Sequence, residues 1–327
     1  MADYKGIKGF KVQSLASDPT LVEGQVWYNT TSNALKYQEL AAGTWASGGT
    51  LGTARYGSGA AGVSSTSGLT FGGSHNSPAV PEIADTESYD GTTWTEVANL
   101  NDARSYTTGC GTQTAALCFG GNPPPQGDDA LTETWNGTSW TEVGDLNNGR
   151  RQLIGAGTNT AALATCGGPP ANNYNESYNG TAWTELADPN VSRNKGAGAK
   201  SGTTTAALIF GGLPGTQGMV NTEAFNGTSW TEVADLGTVR YACGGVGTQT
   251  NALAIGGGGG GQPANPLTEA YNGTAWTEVA NLGTGRYVNT GSAGGGSSSF
   301  TAGGFQTPGL PAEVWVRAAA VKTVTVS

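Results

Sequence analysis

The tract Tyr178-Asn179-Gly180-Thr181-Ala182-Trp183-Thr184-Glu185 recurs, nearly unchanged, from Tyr89, Trp135, Phe225 and Tyr271. In each copy an Arg follows the Trp by ten residues, and a Gly-Gly pair follows the Arg by 16 to 18. The chain is therefore one supersecondary unit repeated at a period in the forties. Such a unit buries its apolar face only against its neighbours, which restricts the fold to stacked or radial repeats.

Within the unit, aromatic-Asn-Gly-Thr-x-Trp predicts a hairpin with a type I′ turn, in which both central residues take positive φ. Glu176-Ser177-Tyr178 is then one strand and Ala182-Trp183-Thr184-Glu185 its partner. The turn accounts for the Gly in every copy and for Asp90 in the place of Asn. The same tracts match the N-glycosylation sequon at Asn136, Asn179, Asn226 and Asn272, a reading disfavoured without a secretory signal. Upstream, runs such as Thr114–Gly121 and Thr205–Gly212 read as buried strands ending in glycines that allow close backbone approach. Before them, small-residue stretches such as Ser105–Gly111 suit an innermost strand, where several units crowd together.

The count of units comes from three independent marks. The Gly-Gly pairs begin at Gly72, Gly120, Gly167, Gly211, Gly256 and Gly303. The repeat glutamates are Glu87, Glu133, Glu176, Glu223, Glu269 and Glu313, and the arginines are Arg55, Arg104, Arg150, Arg193, Arg240 and Arg286. The last unit lacks its Gly-x-x-Trp strand, whereas an orphan Gly43-Thr44-Trp45 precedes the first. Trp45 is expected to complete the last unit and so remove an open edge. Residues 25–38 read as a hairpin and 321–326 as a final strand, which together could build a seventh, atypical unit.

A four-stranded unit with Gly-Gly, Glu-x-aromatic, Gly-x-x-Trp and a short loop to Arg resembles the kelch repeat. Over residues 45–316 that resemblance implies an all-β, kelch-like β-propeller of six four-stranded blades, with seven possible. An N-terminal strand closes it, and an extended N-terminal arm precedes it. The expected boundaries are an arm over 1–23 and a propeller over 24–327. Within the propeller, 24–46 are hairpin and closing strand, 47–316 repeats and 317–327 the C-terminal strand.

Composition narrows the function. A net charge of −9 disfavours nucleic acid and anionic membranes, because phosphate binding needs clustered Lys and Arg. Lys5, Lys8 and Lys11 are the sole basic cluster. No stretch is long and apolar enough for a helical membrane span, and the N-terminus lacks the apolar run of a signal peptide. Cys110, Cys118, Cys166 and Cys243 share no motif spacing and read as small buried residues.

Nothing in the repeat reads as catalytic, and no cofactor or metal is expected. His75 is the lone histidine, too few for a usual metal site, and is read as a solvated loop residue. The repeat arginines could ring a channel for an anion, but six matching glutamates favour Arg–Glu pairing between units. The glycine run from Gly256 lacks the Lys-Ser/Thr of a phosphate loop. The repeats diverge between Gly-Gly and Glu, where loops on a rigid scaffold recognise partners. The candidate binding residues there are His75, Asn76, Pro124, Gln126, Asn172, Tyr174, Gln217, Met219, Gln262, Phe305 and Gln306. Glu82, Asp85, Asp128 and Asp129 lie in the same loops outside the repeat pattern, and would serve a glycan-degrading alternative.

The opening is more particular. Met1–Val12 and then Glu23-Gly24-Gln25-Val26-Trp27-Tyr28-Asn29-Thr30-Thr31-Ser32 resemble the start of structural proteins of tailed marine bacteriophages. Gly/Thr/Asn-rich arrays ending in Thr-Val-Thr-Val-Ser are similar to proteins of the same viruses. The resemblance implies a non-enzymatic virion protein, made in the host cytoplasm and assembled in many copies. Its arm, through Tyr4, Lys5, Ile7, Lys8, Phe10 and Lys11, would dock on tail or capsid proteins. The propeller would face a host-surface glycan or protein, or another virion protein. The alternative is a cellular protein-interaction scaffold.

Overall fold

The computed structural model describes residues 12–19, 25–75, 82–125, 127–258, 264–287, 291–305 and 311–324. The described residues contain no helix. Their strands form eight sheets, seven of them four-stranded, mostly antiparallel and consistent with a β-propeller-like architecture. The chain divides into two compact units, one of residues 44–316 and one of 1–43 with 317–327.

Residues 44–316 hold six of the four-stranded sheets. The second is representative: an inner strand Thr108–Thr112, a glycine-ended strand Ala115–Gly121, an aromatic strand Asp129–Trp135 and a Trp strand Trp140–Glu142. The sixth departs from consecutive order. Its outermost strand, Thr44–Thr50, comes from the start of the unit and pairs antiparallel with Pro311–Val316, setting Trp45 opposite Trp315. Inner strands of consecutive sheets lie side by side, and Gly291–Gly295 of the sixth lies beside Gly59–Ser64 of the first.

The inner strands are small-residue strands because large rings arrive from next door. A side chain on Gly109 would collide with the ring of Phe71, one sheet back. At the outer end each Trp covers the preceding sheet. Trp140 packs edge-on against Phe71 at 4.9 Å, and Trp276 does the same against Phe210. Their indole N–H groups reach back as well: Trp140 donates to Thr86 and Trp183 to Thr132, both at 3.1 Å, and Trp276 to Thr222 at 3.2 Å. Trp45 donates in the same way to Thr268 of the fifth sheet. Burying one such side chain contributes roughly 2–3 kcal/mol.

Every repeat Arg meets the Glu of the following sheet. Arg104 reaches Glu133 at 2.5 Å, Arg193 reaches Glu223 at 2.6 Å, and Arg286 reaches Glu313 at 2.7 Å. Arg150 pairs with Glu176 and Arg240 with Glu269. The second carboxylate oxygen takes a backbone N–H from the connecting loop, as at Asn147 and Glu176, 2.7 Å. Burial pulls the Arg55 and Arg286 guanidinium values down, and the facing glutamates oppose it. The expected Arg–Glu pairing is therefore present at each described sheet junction.

Two local expectations are corrected. The Asn-Gly turns are not type I′, since only the Gly takes positive φ, +93° at Gly137 and +94° at Gly180. Tyr178 pairs with Trp183, so four residues form the loop. The Asn179 side-chain oxygen accepts the N–H groups of Thr181 and Ala182, both at 3.0 Å. This is an Asx turn, which Asp90 reproduces at 2.8 Å to Thr92 and Thr93. The sequon asparagines thus have a role within the turn. The second correction concerns the third glycine pair. In five of the six pairs the second Gly donates its N–H to the carbonyl of a repeat Arg, as Gly121 does to Arg150. In the third sheet that donor is Gly167, so the preceding place falls to Cys166, held at φ +59°. The pair Gly167-Gly168 is displaced by one residue.

The other compact unit contains one sheet, in the order Gln13–Leu15, Val26–Asn29, Ala34–Leu40 and Ala319–Thr323. The hairpin over Thr30–Asn33 and the final strand are both in it. Gln13–Leu15 runs parallel to Val26–Asn29. Asp18 accepts from Trp27 at 3.1 Å, Asn29 at 2.8 Å and Lys36 at 3.2 Å. The hydrogen bond from Asn29 is the largest influence holding its carboxyl below the usual range. Gln13–Leu15, expected in an extended arm, are therefore a strand of this sheet, and the Asp18 side chain is bonded to it. The docking residues Tyr4, Lys5, Ile7, Lys8, Phe10 and Lys11 lie outside the described residues.

Candidate functional site

The residues just after each repeat Arg are pinned to the residues just after each glycine pair. Arg55–Tyr56 pairs with Ser74–His75 as a short ladder. Single bridges repeat this at Ser105 with Asn122, Asn194 with Leu213, Tyr241 with Gly258 and Tyr287 with Phe305. The variable loops therefore start from the same face as the connections leading to the inner strands.

One residue further on, the backbone is left-handed in successive units: Gly57 (+63°), Tyr106 (+52°), Gln152 (+58°), Lys195 (+51°) and Ala242 (+51°). Each non-Gly residue there costs about 1–2 kcal/mol. Hydrogen bonds between units hold them: Gln152 N–H to Tyr106 O (2.9 Å), Lys195 to Gln152 (3.1 Å) and Ala242 to Lys195 (2.7 Å). The network between units thus holds the same strained backbone at each of these places.

Aromatic side chains converge on this rim. Phe305 lies edge-on to Tyr56 at 5.1 Å and to Tyr287 at 5.7 Å. Tyr56 meets Tyr106 at 6.1 Å, and Tyr287 meets Tyr241 at 6.5 Å. Burial first, and then the neighbouring hydroxyls of Tyr56 and Tyr287, push Tyr106 up to about 12. Burial likewise raises Tyr287. The Tyr106 and Tyr287 phenols therefore stay neutral donors at physiological pH. Two cations sit near them. Arg151 donates to Asn122 at 2.6 Å and lies 3.7 Å from Asp128. Lys195 is drawn down by burial and by Arg151. The rim offers flat apolar faces with hydroxyl and cationic donors beside them, the chemistry of a recognition surface.

The sequence candidates distribute unevenly over this geometry. Phe305, 37% exposed, is in the rim. His75 lies in the ladder opposite Arg55, half-buried, so it is not a solvated loop residue. Met219 is buried at 7%, because its N–H donates to Gly212 O and bridges it to Arg240; it presents no free loop surface. Asn172 begins the strand Asn172–Tyr178 and is half-buried, also bridged to Arg193. Pro124, Gln217 and Tyr174 are exposed, and among the described residues Tyr174 makes no ring contact with the rim. Asn76, Gln126, Gln262 and Gln306 lie outside the described residues.

The loop acids are engaged. Asp129 pairs with Arg104 at 3.3 Å and Asp128 with Arg151. Glu82 accepts from Asn122 at 3.0 Å, and Asp85 from Asn99 at 3.4 Å. The cysteines are all free and buried, and burial pushes Cys110 and Cys166 up to about 12. The rim tyrosines were not singled out from sequence. Their signal is the Arg-Tyr pair at 55–56, 240–241 and 286–287, inside a stretch whose small residues dominate the reading.

No protein-family model matches the chain, and no curated protein matches it in sequence.

Proposed function

We propose that the chain is a non-enzymatic virion structural protein whose closed, six-bladed, kelch-like propeller presents a ligand-binding face. The observation that carries the binding role is the aromatic rim of Tyr56, Tyr106, Tyr241, Tyr287 and Phe305, set where the variable loops begin. Closure is supported by the strand Thr44–Thr50 on the sixth sheet, and by Gly304 N–H donating to Arg55 O at 3.0 Å as other second glycines do to their next Arg. A binding rather than a hydrolytic role is supported by loop acids already committed to Arg104, Arg151 and asparagines. The virion setting rests on the phage-like opening, whose arm would dock on tail or capsid proteins.

The ligand class that suits the rim is a host-surface glycan. Sugar rings stack on aromatic faces while neutral phenol hydroxyls and amides take their hydroxyl groups. Two measurements test the reading. Mass spectrometry of purified particles should find the chain at a fixed copy number; its presence only in uninfected cells overturns the virion role. Binding of host polysaccharide should fall at least tenfold in Tyr56→Ala and Phe305→Ala with folding unchanged. Unaltered binding in both overturns the rim as the binding face.

A further inference from the structure

A cavity of about 30 Å³ lies among the inner strands of residues 44–316, room for about two waters or one small ion. Its wall is almost all small: Ser58, Thr108, Gly155, Gly198 and Gly245 come from five successive sheets. One charged residue is in its lining, Lys200.

Lys200 is there because the fourth repeat breaks the pattern. Gly202–Ala207 corresponds to Gly247–Ala252, and Ala199 corresponds to Val246. Lys200-Ser201 is a two-residue insertion between them. In the other repeats a Gly, such as Gly157 or Gly247, directly follows the equivalent of Ala199. The insertion is firmly tied. Ser201 N–H donates to Gly247 O at 2.8 Å, and its hydroxyl donates to Gly294 O at 3.2 Å. Lys200 O accepts from Gly157 N–H at 3.1 Å. Three other sheets thus fix the backbone that points Lys200 at the cavity.

The ammonium has no hydrogen bond or ion pair among the described residues. The titratable groups that face it are the Cys110 and Cys118 thiols, which burial keeps neutral. Lys200 is half-buried, and a cation partly withdrawn from water with no counter-charge beside it is penalised. Burial lowers Lys200 to about 8, which leaves it protonated at neutral pH. The Thr108 hydroxyl, on the same wall, also donates to no described residue.

We propose that this cavity binds a small monovalent inorganic anion of halide size, held by the Lys200 ammonium and the Thr108 hydroxyl. The anion supplies the missing charge and displaces water that cannot. Its site is independent of the aromatic rim, and its fate does not depend on the proposed ligand there.

Bromide is the probe. In crystals of the full chain grown with bromide, an anomalous peak is expected within hydrogen-bond reach of Lys200 Nζ. In solution, replacing gluconate by bromide or chloride at constant ionic strength should raise Tm saturably, by about 2–5 °C. The shift should vanish in Lys200→Gln and shrink in Thr108→Val. No peak at the cavity overturns the proposal, as does an equal halide shift in Lys200→Gln. If Lys200→Gln does not fold, the bromide peak in the unsubstituted protein decides.

Discussion

Arg55 bonds Glu87 at 2.6 Å with both side chains almost wholly buried, so the connection leaving the sixth sheet is pinned to the first. Arg55 also donates to the carbonyls of Gly72 and Asp85. Arg55→Ala leaves a buried carboxylate unpaired and should cost about 3–5 kcal/mol in urea unfolding. Arg55→Met combined with Glu87→Leu should recover most of that loss. If the double variant is no more stable than the single one, the pair contributes more than mutual neutralisation.

The Trp45 strand makes a separate prediction. A chain starting at residue 51 loses Thr44–Thr50 and exposes the Pro311–Val316 edge, including the otherwise buried Trp315. Unpaired strand edges seek partners. The truncated protein should therefore elute as oligomers in light-scattering chromatography, with a lowered Tm. A monomer of unchanged Tm would show that this strand contributes little.

The Asx turns separate two asparagine variants. Asn179→Asp keeps the oxygen that accepts from Thr181 and Ala182, as Asp90 does in the first sheet, and should be near neutral. Asn179→Ala removes it and should cost about 1 kcal/mol. Equal losses in the two would point to the amide nitrogen instead.

Lys200 makes stability depend on pH with a definite sign. Its ordinary value is 10.5 and its folded value about 8. Between these the unfolded chain keeps a proton that the folded chain has released, so stability rises with pH across that window. Below about pH 8 the penalty of the buried charge is fully present. The gain over the window is at most about 3 kcal/mol, less where cavity water screens the charge. Urea unfolding from pH 7.5 to 10 should show this rise relative to Lys200→Gln, in which tyrosine titration cancels. A falling or flat difference would mean Lys200 is solvated.

The repeat itself was legible because its marks recur in register. Matching sets of Arg and Glu foretold the buried pairs, and the orphan Trp45 foretold the strand beside Trp315. Other features were hidden for identifiable reasons. Asn-Gly is a signature shared by type I′ and Asx turns, and only φ separates them. A real Gly-Gly at 167–168 concealed that Cys166 holds the left-handed place. Met219 looks free in a divergent loop, yet a single bridge to Arg240 buries it. The rim tyrosines sit where glycine and threonine dominate the reading. Lys200 emerges from sequence only by comparing hairpin lengths among repeats.

Sealing six arginines against glutamates leaves the rest of that unit with little positive charge. Residues 44–316 carry twenty Asp and Glu and nine Lys and Arg. Once the pairs are removed, fourteen carboxylates face Arg151, Lys195 and Lys200 alone. Outside this span, six cationic residues meet four acidic ones. The repeat unit thus behaves as a polyanion with a single cationic spot, formed by Arg151 and Lys195 beside the rim. Acidic polymers are repelled everywhere else, and copies of the unit repel one another at low salt. That repulsion is screened beyond about 8 Å at physiological ionic strength.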